Sequence, residues 1–337
     1  MKIAIGFITY NNLTAKYLPF FVPSLKESLA VAFNEKEYCL LAVDNSDLEE
    51  NDNKKYLKDN LPDIVLTFAG SNLGFAKAYN LMIERALKLG AEYFLMLNPD
   101  MVLAPDSIVK LVKALDDEAS LGAVAPRILR WDFDHNILTS TIDSDGLVIT
   151  SSHRFFDRHQ GSPVINSESE MIFGFTGAAA LIRMKALANV AYGREYLDEL
   201  MFMYKEDIDL SYRLQLAGWS IKLIPEAHIY HDRTVSQLGR GLLSVVLNRK
   251  NKSRQVRSWS FLNQWILVLK YSHLPYSFRV KWQTWFYQLM SSLFVLLFEF
   301  YLIKELFAVY KIRGEIRAKR QSLKIVINPN KIEKMMN

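Results

Sequence analysis

Acidic residues that follow apolar segments are the residues of this chain best placed to do chemistry. The segment EYFLMLNPDMVL (92–103) leads an apolar run directly into Asn-Pro-Asp. A carboxylate, Asp100, therefore lies where a buried strand should end. Hard cations such as Mg²⁺ or Mn²⁺ prefer oxygen ligands and take some of them from phosphate and water, so Asp100 is a candidate metal ligand. The alternative is that Pro-Asp only opens the next helix, with Asp106 or Ser107 as its cap.

A second acidic group, Glu206, Asp207 and Asp209, opens the segment YKEDIDLSYRLQLAG (204–218). Its apolar spacing predicts an amphipathic helix that ends at Gly218. The N–H groups and the dipole of a helix N-terminus favour carboxylates. Successive helical residues are about 100° apart, so only one or two of the three can face one pocket. Such a carboxylate can be a general base; the alternative is that the acids only stabilise the helix.

Four predicted strands would bring polar residues to one edge of a sheet. Within residues 1–125, strands are predicted at 3–10, 39–45, 63–70 and 93–100, and helices follow them, including 74–89 and 106–116. This alternation predicts an α/β fold, a mostly parallel sheet with helices on both faces. The strands run into TYN, DNS, NLG and NPD. Ligands bind at such edges, although each cluster alone could be turn chemistry.

Several other types of site are not supported by the sequence. It contains no GxxxxGK[ST], no GxGxxG after the first strand and no HExxH, so P-loop, dinucleotide and zincin sites lack support. The one cysteine, Cys39, allows neither a disulfide framework nor a cysteine zinc site. The start, MKIAIGFITYNN, is typical of a first strand and not of a signal peptide.

The charge of the chain is divided between an acidic body and a basic tail. The formal net charge is +5, but residues 241–337 contain 17 Lys and Arg against 4 Asp and Glu, a net +13, and the remainder is net −8. We therefore predict two regions, 1–240 and 241–337. The asymmetry favours contact of the tail with an anionic surface. Nucleic acid is disfavoured because the tail aromatics lie in continuous apolar segments.

One apolar segment of the tail predicts a long helix at 285–303. Gln288 and Glu299 interrupt it, so it is marginal for the span of about 20 apolar residues that a bilayer requires. We expect a helix that lies in the membrane interface, helped by the neighbouring Lys and Arg. The alternative is that the tail helices pack on one another or across a homodimer.

The order of the motifs resembles a known family. The blocks TYN, DNS, NLGFAKAYN, LNPD, TGAAALIR and YKEDIDLSYRLQLAGW, with a closing histidine, resemble the inverting, nucleotide-sugar-dependent glycosyltransferases of family 2 over roughly residues 1–235. The resemblance implies the GT-A fold. Within the family, DSDGLVITSSHRFFDRHQG (143–161) is similar to a segment of bacterial rhamnosyltransferases and related cell-surface polysaccharide enzymes.

For the donor nucleotide, the resemblance implies that Thr9 and Asn11 line the pocket and that Asp44 accepts a hydrogen bond from the base. A carboxylate suits a uracil or thymine N–H, since charge-assisted hydrogen bonds are strong. Asn72 and Gly74 would lie near the ribose and diphosphate, where a residue without Cβ lets backbone approach the ligand.

Around the diphosphate, Asp100 matches the metal-binding aspartate of the DxD-type motif. Asn98 replaces the first acid of that motif and is a weaker oxygen donor. His231 matches the late histidine of the family as a metal or diphosphate contact, the alternative being a histidine that only closes a strand. Lys77 would neutralise phosphate, or else is an exposed helix lysine. The expected cofactor is Mg²⁺ or Mn²⁺.

For the reaction itself, the resemblance selects Asp207 as the base that takes the proton of the acceptor hydroxyl. Glu206 would hydrogen-bond the acceptor or the sugar, and Gly177 and Ala178 would form the pocket floor.

The expected function is transfer of a sugar, with rhamnose from dTDP-rhamnose as the first candidate, from a dTDP- or UDP-sugar to a glycan or lipid-linked acceptor. The expected place is the cytoplasm, peripheral on the inner face of the cell membrane. One alternative is a nucleotidyltransferase, which the late acidic helix argues against; another is a non-catalytic membrane-binding module.

Overall fold

The computed structural model describes residues 1–164, 167–233 and 253–336. Its strands are β1 (Ile3–Thr9), β2 (Tyr38–Asp44), β3 (Val65–Phe68), β4 (Tyr93–Leu97), β5 (Met101–Leu103), β6 (Leu121–Asp132), β7 (Ile137–Ser144), β8 (Leu147–Ile149), β9 (Phe155–Asp157), β10 (Glu170–Met171), β11 (Ala179–Arg183) and β12 (Ser220–His231). Its helices are α1 (Asn11–Ala15), α2 (Leu18–Ala32), α3 (Asp52–Asn60), α4 (Gly74–Lys88), α5 (Ser107–Asp117), α6 (Met184–Val190), α7 (Glu206–Leu216), α8 (Arg254–Tyr271), α9 (Phe278–Phe298), α10 (Ile303–Gln321) and α11 (Asn330–Glu333), with a 3-10 turn at Phe300–Leu302.

The main sheet has the order β10-β12-β6-β11-β4-β1-β2-β3, with β5 on β12 and β7 on β6. The strands β3, β2, β1 and β4 are parallel, as are β6 and β12. β11 is antiparallel to both of its neighbours. The α/β prediction with a mostly parallel sheet is confirmed, and the antiparallel pairs involve β5, β7, β10 and β11.

Side-chain alternation along β1 explains why helices cover both faces of the sheet. Ile3 and Ile5 belong to a core with α2 and α5, whereas Ala4 belongs to a second core with α4. Both faces are buried, so the strand reads as a continuous apolar run. The predicted helix at 74–89 is α4, and the one at 106–116 is α5.

The C-terminal helices share a core with the sheet domain. Helix α8 packs on α7 through Ile266, Leu267 and Tyr271, which meet Ile208, Tyr212 and Leu216. The predicted boundary at 240/241 lies outside the described residues, so the division into two regions stays a prediction.

The helix predicted at 285–303 begins earlier and ends sooner. Ser277 caps α9, because its side chain accepts a hydrogen bond from the N–H of Val280. After Phe298 the helix stops, and Glu299 is buried against Arg257, with Oε1 and Nη1 2.6 Å apart. A partly buried ion pair thus lies where the helix was predicted to continue.

One side of α9 is apolar and exposed. This α9 apolar face comprises Trp282, Trp285, Phe286, Leu289, Leu293 and Leu297. Val280, Thr284, Gln288 and Val295 lie on the opposite, buried side. Among the residues that the structure describes, no helix is both long and apolar enough to cross a membrane.

Candidate active site

Parallel neighbours β1 and β2 place Thr9 beside Asp44, because these two residues pair in register at the carboxyl ends of the strands. Asp44 is buried and surrounded by donors. Its Oδ1 accepts hydrogen bonds from Thr9 Oγ1 at 3.0 Å and from Ser46 Oγ at 2.5 Å, and its Oδ2 accepts one from Asn51 Nδ2 at 2.7 Å. The carboxylate is fixed in place before any ligand arrives.

Asn11 contacts the residues that follow Asp44, and its backbone N–H donates to Ser46 Oγ at 2.7 Å. Its φ is +44°, and its side chain exchanges hydrogen bonds with Asp47, donating to Oδ2 and accepting from the Asp47 N–H. Asn11 and Asn51 line an open cleft of about 680 Å³. Of the predicted nucleotide residues, Asn11 thus borders a space of ligand size, whereas Thr9 and Asp44 are buried behind it.

Gly74, in the turn before α4, packs closely against the loop that contains Phe202. Gly74 has a φ of +76°, and a Cβ there would lie 2.3 Å from the carbonyl oxygen of Phe202. The glycine therefore admits the loop that leads to Asp207. Close approach of the ribose and diphosphate to this backbone stays a prediction. Asn72 Oδ1 accepts a hydrogen bond from the Gly74 N–H at 2.9 Å. Lys77 is exposed.

Asp100 and His231 lie side by side. The backbone N–H of Asn98 donates to the carbonyl of Ala178 at 2.9 Å, which joins the end of β4 to the start of β11. Asp100 Oδ2 lies 3.4 Å from His231 Nε2. The other nitrogen, Nδ1, lies 3.0 Å from Oδ2 of the buried Asp143. His231 therefore bridges two carboxylates.

The charges around His231 determine its protonation. Burial acts to lower the pKa of His231, but the negative charges and hydrogen bonds of Asp100 and Asp143 outweigh burial and raise the pKa to about 10. Burial acts to raise the pKa of Asp143, yet His231 and Arg233 lower it. In the absence of a cation, an imidazolium holds the two acids together.

Asp100 has the features of a carboxylate that could share a cation. Its Oδ1 is buried and has no hydrogen-bond partner among the described residues, and a buried polar atom of that kind calls for an explanation such as an ion. Within the described part of the chain, no group of three or more His, Cys, Asp or Glu side chains is arranged to hold a metal ion. Asp100, with the adjacent His231, therefore fits a cation that takes most of its ligands from outside the protein, as a donor diphosphate can supply.

The catalytic candidates lie at the N-terminus of α7. Asp207 Oδ2 accepts a hydrogen bond from the Gly177 N–H at 2.7 Å, and Oδ1 accepts one from the Ile208 N–H at 2.8 Å. A Cβ on Gly177 would lie 3.1 Å from the Phe75 ring, so a small residue is needed here. Asp207 remains partly exposed, hence accessible to a substrate.

The two adjacent acids differ in their environment. Glu206 is buried, and its Oε2 has no hydrogen-bond partner in the described structure. Burial, with the charge of Asp207, raises the pKa of Glu206 well above its ordinary value. Desolvation also raises the pKa of Asp207, although the N–H groups of Gly177 and Ile208 act in the opposite direction. Glu206 is thus the better proton donor and Asp207 the better acceptor.

Asp209 faces away from the other two acids, in agreement with the helical spacing. It is buried, bonded to Arg213 Nε at 2.8 Å, and in contact with Lys270 of α8. It serves the packing of α7 on α8.

Asp143, Asp157 and Arg233 were not predicted as site residues. Arg233 Nη1 lies 3.2 Å from Asp143 Oδ1, and Nη2 lies 2.8 Å from Asp157 Oδ2. The signal in the sequence was the segment 143–161, singled out only for its resemblance to rhamnosyltransferases. Two of its three acids, Asp143 and Asp157, belong to the network that holds His231.

Comparison with known proteins identifies the family of the chain. The profile described as Glycosyl transferase family 2 matches residues 5–190. The chain is 29% identical over 192 residues to the N-acetylglucosaminyl-diphospho-decaprenol L-rhamnosyltransferase of Mycobacterium tuberculosis, covering 52% of this chain and 61% of that protein. It is 23% identical over 224 residues to Rhamnosyltransferase WbbL of Escherichia coli, covering 60% and 81%. The match thus spans about three fifths of the mycobacterial relative's length.

A solved structure supports the fold. The crystal structure of GalNAc-T7 with UDP, GalNAc and Mn²⁺ superposes with a TM-score of 0.53 at 12% identity, covering 69% of this chain and 43% of that one. The prediction of a GT-A fold followed by C-terminal helices is confirmed. The profile covers more than half of the sequence, and the chain belongs to glycosyl transferase family 2.

Proposed function

We propose that the protein is an inverting glycosyltransferase that transfers a sugar, with rhamnose as first candidate, from a dTDP- or UDP-sugar to a glycan or lipid-linked acceptor in cell-surface polysaccharide synthesis. The observation that carries the proposal is the Asp207 carboxylate. It is oriented by the N–H groups of Gly177 and Ile208, partly exposed, and beside a second acid whose pKa is raised further. Rhamnose and a lipid-linked acceptor come from the names of the relatives.

The chemistry assigned to Asp207 is general-base catalysis. Each of its oxygens accepts one backbone hydrogen bond and keeps capacity for a second. Asp207 takes the proton of an acceptor hydroxyl as that oxygen forms a bond to the anomeric carbon of the donor. The bond from that carbon to the diphosphate oxygen breaks, and the nucleoside diphosphate leaves with the electron pair. A single displacement from the opposite face inverts the configuration.

Glu206 is assigned a positioning hydrogen bond. Because its pKa is raised well above the ordinary value, it is protonated under conditions in which other glutamates are charged. A protonated carboxyl donates one hydrogen bond. We assign that donation to a sugar or acceptor oxygen beside Asp207.

The donor diphosphate is assigned to the edge formed by Asp100 and His231. Asp100, through its unpartnered Oδ1, and His231 are the residues that would hold Mg²⁺ or Mn²⁺. When bound, such a cation stabilises the negative charge that develops on a leaving diphosphate. His231 then needs a neutral imidazole to act as a ligand, and Asp143 orients its other nitrogen. Asn98 and Lys77 are assigned to the same edge.

The base and ribose are assigned to the cleft bordered by Asn11. Asp44 is held by three side chains, and a carboxylate oxygen can accept more than one hydrogen bond. The base N–H then shares Asp44 with the protein donors. Asn72 and Thr9 lie at the adjoining strand ends.

Release of nucleoside diphosphate tests the proposal. The purified protein is incubated with UDP-, GDP- and dTDP-sugars and a polyprenyl-diphosphate-linked GlcNAc acceptor, with Mg²⁺, Mn²⁺ or EDTA. We expect diphosphate release and a glycosylated acceptor with one donor, abolished by Asp207→Asn. Release of monophosphate or pyrophosphate would support a nucleotidyltransferase. No turnover with any donor would support a non-catalytic module and overturn the proposal.

We also propose that the α9 apolar face binds the surface of an anionic membrane. It exposes aromatic and aliphatic side chains along one side, and Arg279 and Lys281 are exposed at its first turn. Apolar groups enter the headgroup region while basic residues attract anionic lipids. On this proposal the protein is cytoplasmic and peripheral on the inner face of the cell membrane, near a lipid-linked acceptor.

Vesicle binding tests the proposal that the α9 apolar face binds a membrane. The double variant Leu289→Ser/Leu297→Ser removes two side chains of the α9 apolar face that are 56% and 72% exposed. Binding to phosphatidylglycerol vesicles should fall at least about tenfold, and wild-type binding should weaken in salt. The matched control is Leu13→Ser/Leu48→Ser, whose targets are 65% and 72% exposed elsewhere. Unchanged binding overturns the proposal, and a dimer in light scattering that the α9 variant dissociates identifies a homodimer face instead.

A further inference from the structure

The turn before the catalytic helix has an unusual backbone. Tyr204 has a φ of +73° and Lys205 a φ of +74°. Residues other than glycine rarely adopt this left-handed region, since Cβ crowds the backbone. Such conformations persist where the surroundings enforce them and are concentrated at functional sites. Here two of them directly precede Glu206 and Asp207.

A single side chain of α8 fixes that turn. Asn263 is buried, 1% exposed. Its Nδ2 donates to the carbonyl of Met203 at 2.9 Å and to that of Tyr204 at 2.7 Å. These carbonyls belong to the two peptide groups on either side of Tyr204. Both donors of one amide therefore set the orientation of the strained peptides.

Other side chains of α8 and of the turn also join α8 to the turn at Tyr204 and Lys205 and to α7. Lys205 Nζ donates to Gln264 Oε1 at 2.8 Å. The Trp259 and Phe202 rings lie 5.0 Å apart between centroids. One turn into α7, Asp209 is bonded to Lys270. Helix α8 thus contacts both ends of the segment that carries Asp207.

We infer that Asn263 is a positioning residue that holds Tyr204 and Lys205 in the left-handed conformation and so aims the Asp207 carboxylate at the acceptor hydroxyl. The inference rests on the proposed function for the identity of the base. Without the amide, the peptides on either side of Tyr204 relax toward ordinary φ values. The first turn of α7 then rotates, and Asp207 no longer meets the Gly177 N–H. Helix α8, which lies in the tail, is therefore part of the catalytic apparatus.

A double-mutant cycle tests the inference in the full chain. Loss of two hydrogen bonds in Asn263→Ala should lower kcat about 10- to 30-fold, with the donor KM within about twofold of wild type. Glycine adopts positive φ without steric cost, so in a Tyr204→Gly background the same substitution should lower kcat by about threefold or less. Equal losses in both backgrounds, or an unchanged kcat, overturn the inference. Should Asn263→Ala not fold, Asn263→Ser takes its place in the cycle.

The matched control is Gln288→Ala, which removes a buried amide from the neighbouring helix α9. It should leave kcat within about twofold of wild type. Amide hydrogen exchange gives a readout independent of turnover: in Asn263→Ala, residues 203–209 should exchange at least about tenfold faster than in wild type, with the sheet unchanged. Unaltered exchange overturns the positioning role. If the wild type turns over no donor, the proposed function fails, and the exchange result still decides the role of Asn263.

Discussion

The acids at the two ends of the active site differ in how fully their oxygens are satisfied. Asp44, at the nucleotide end, is fixed by Thr9, Ser46 and Asn51. At the reaction end, Asp100 Oδ1 and Glu206 Oε2 are buried without a hydrogen-bond partner in the described residues. Each oxygen of Asp44 accepts a hydrogen bond from the protein, whereas Asp100 and Glu206 each keep one oxygen that no described protein group uses.

This difference separates two uses of a carboxylate. A saturated acid stabilises the fold and presents a rigid acceptor, because its donors would be left unpaired without it. A buried acid with an oxygen that accepts no hydrogen bond lowers the stability of the fold. It is kept where a ligand or a proton binds that oxygen. Substitutions should therefore affect stability at Asp44 and activity at the reaction end.

The largest effect is expected at Asp207. Asp207→Asn removes the base and should lower kcat about 10²- to 10⁴-fold with the free energy of unfolding within about 1 kcal/mol of wild type. Because the pKa of Asp207 is raised above its ordinary 3.8, wild-type kcat/KM should increase with pH through an acid limb above that value. Initial rates measured across pH give kcat and the acid limb of kcat/KM, and the variant should lack that limb.

The control for this substitution is Asp106→Asn, at an α5 N-cap where the side chain makes no capping hydrogen bond. It should retain wild-type rates. A normal rate in Asp207→Asn would mean that the acids only stabilise the helix.

A smaller loss, in the apparent affinity for the cation, is expected from substitution of Asp100. Asp100→Asn should lower the apparent affinity for Mg²⁺ or Mn²⁺ by at least about tenfold, because a neutral amide is a weaker donor to hard cations. The free energy of unfolding should fall by less than in Asp44→Ala, since Asp100 contacts His231 through Oδ2 only and its Oδ1 has no partner among the described residues. Rates against cation concentration, with EDTA as the zero point, measure the change. An unaltered cation dependence would contradict the assignment of Asp100 and the distinction between the two ends.

Asp44→Ala should act mainly on stability. Three side chains lose their acceptor, so the free energy of unfolding should fall by about 1–3 kcal/mol, measured by urea denaturation. The donor KM should also increase. Asp63→Ala, at an exposed position, is the control and should change stability by less than about 0.5 kcal/mol. A stable Asp44→Ala variant would show that the hydrogen bonds around Asp44 are not needed for the fold.

The smallest effect is expected from Glu206→Gln, on the pH dependence of the melting temperature. The pKa of Glu206 in the folded protein is raised above the ordinary 4.5, so its contribution to stability is complete below that value and is lost as pH increases through the folded pKa. Glu206→Gln has no such titration. Its melting temperature should match wild type near pH 4 and exceed it increasingly toward pH 8, since about 1 kcal/mol shifts Tm by roughly 1–2 °C in a chain of 337 residues. A constant difference across this range would show that Glu206 is charged in the folded protein.

The sequence predicted the sheet better than the tail. Apolar strands and polar strand ends are local patterns, so Thr9, Asp44 and Asp100 could be assigned to one edge before any coordinates. The predicted end of α9 was wrong: the helix stops at Phe298, and the next residue, Glu299, is paired with the half-buried Arg257. That pair joins residues 42 positions apart, and no local pattern reports it.

Residue types and their periodicity determined the class of the fold, the edge that carries the site and the acids that can do its chemistry. Tertiary structure alone decided which acids are saturated and which are not, and it placed Asp143 behind His231 and Asn263 against the turn before Asp207. The physical reason is distance along the chain. Periodicity is set by neighbours a few residues apart, whereas hydrogen bonds and desolvation at a buried carboxylate depend on groups that only the complete fold brings together.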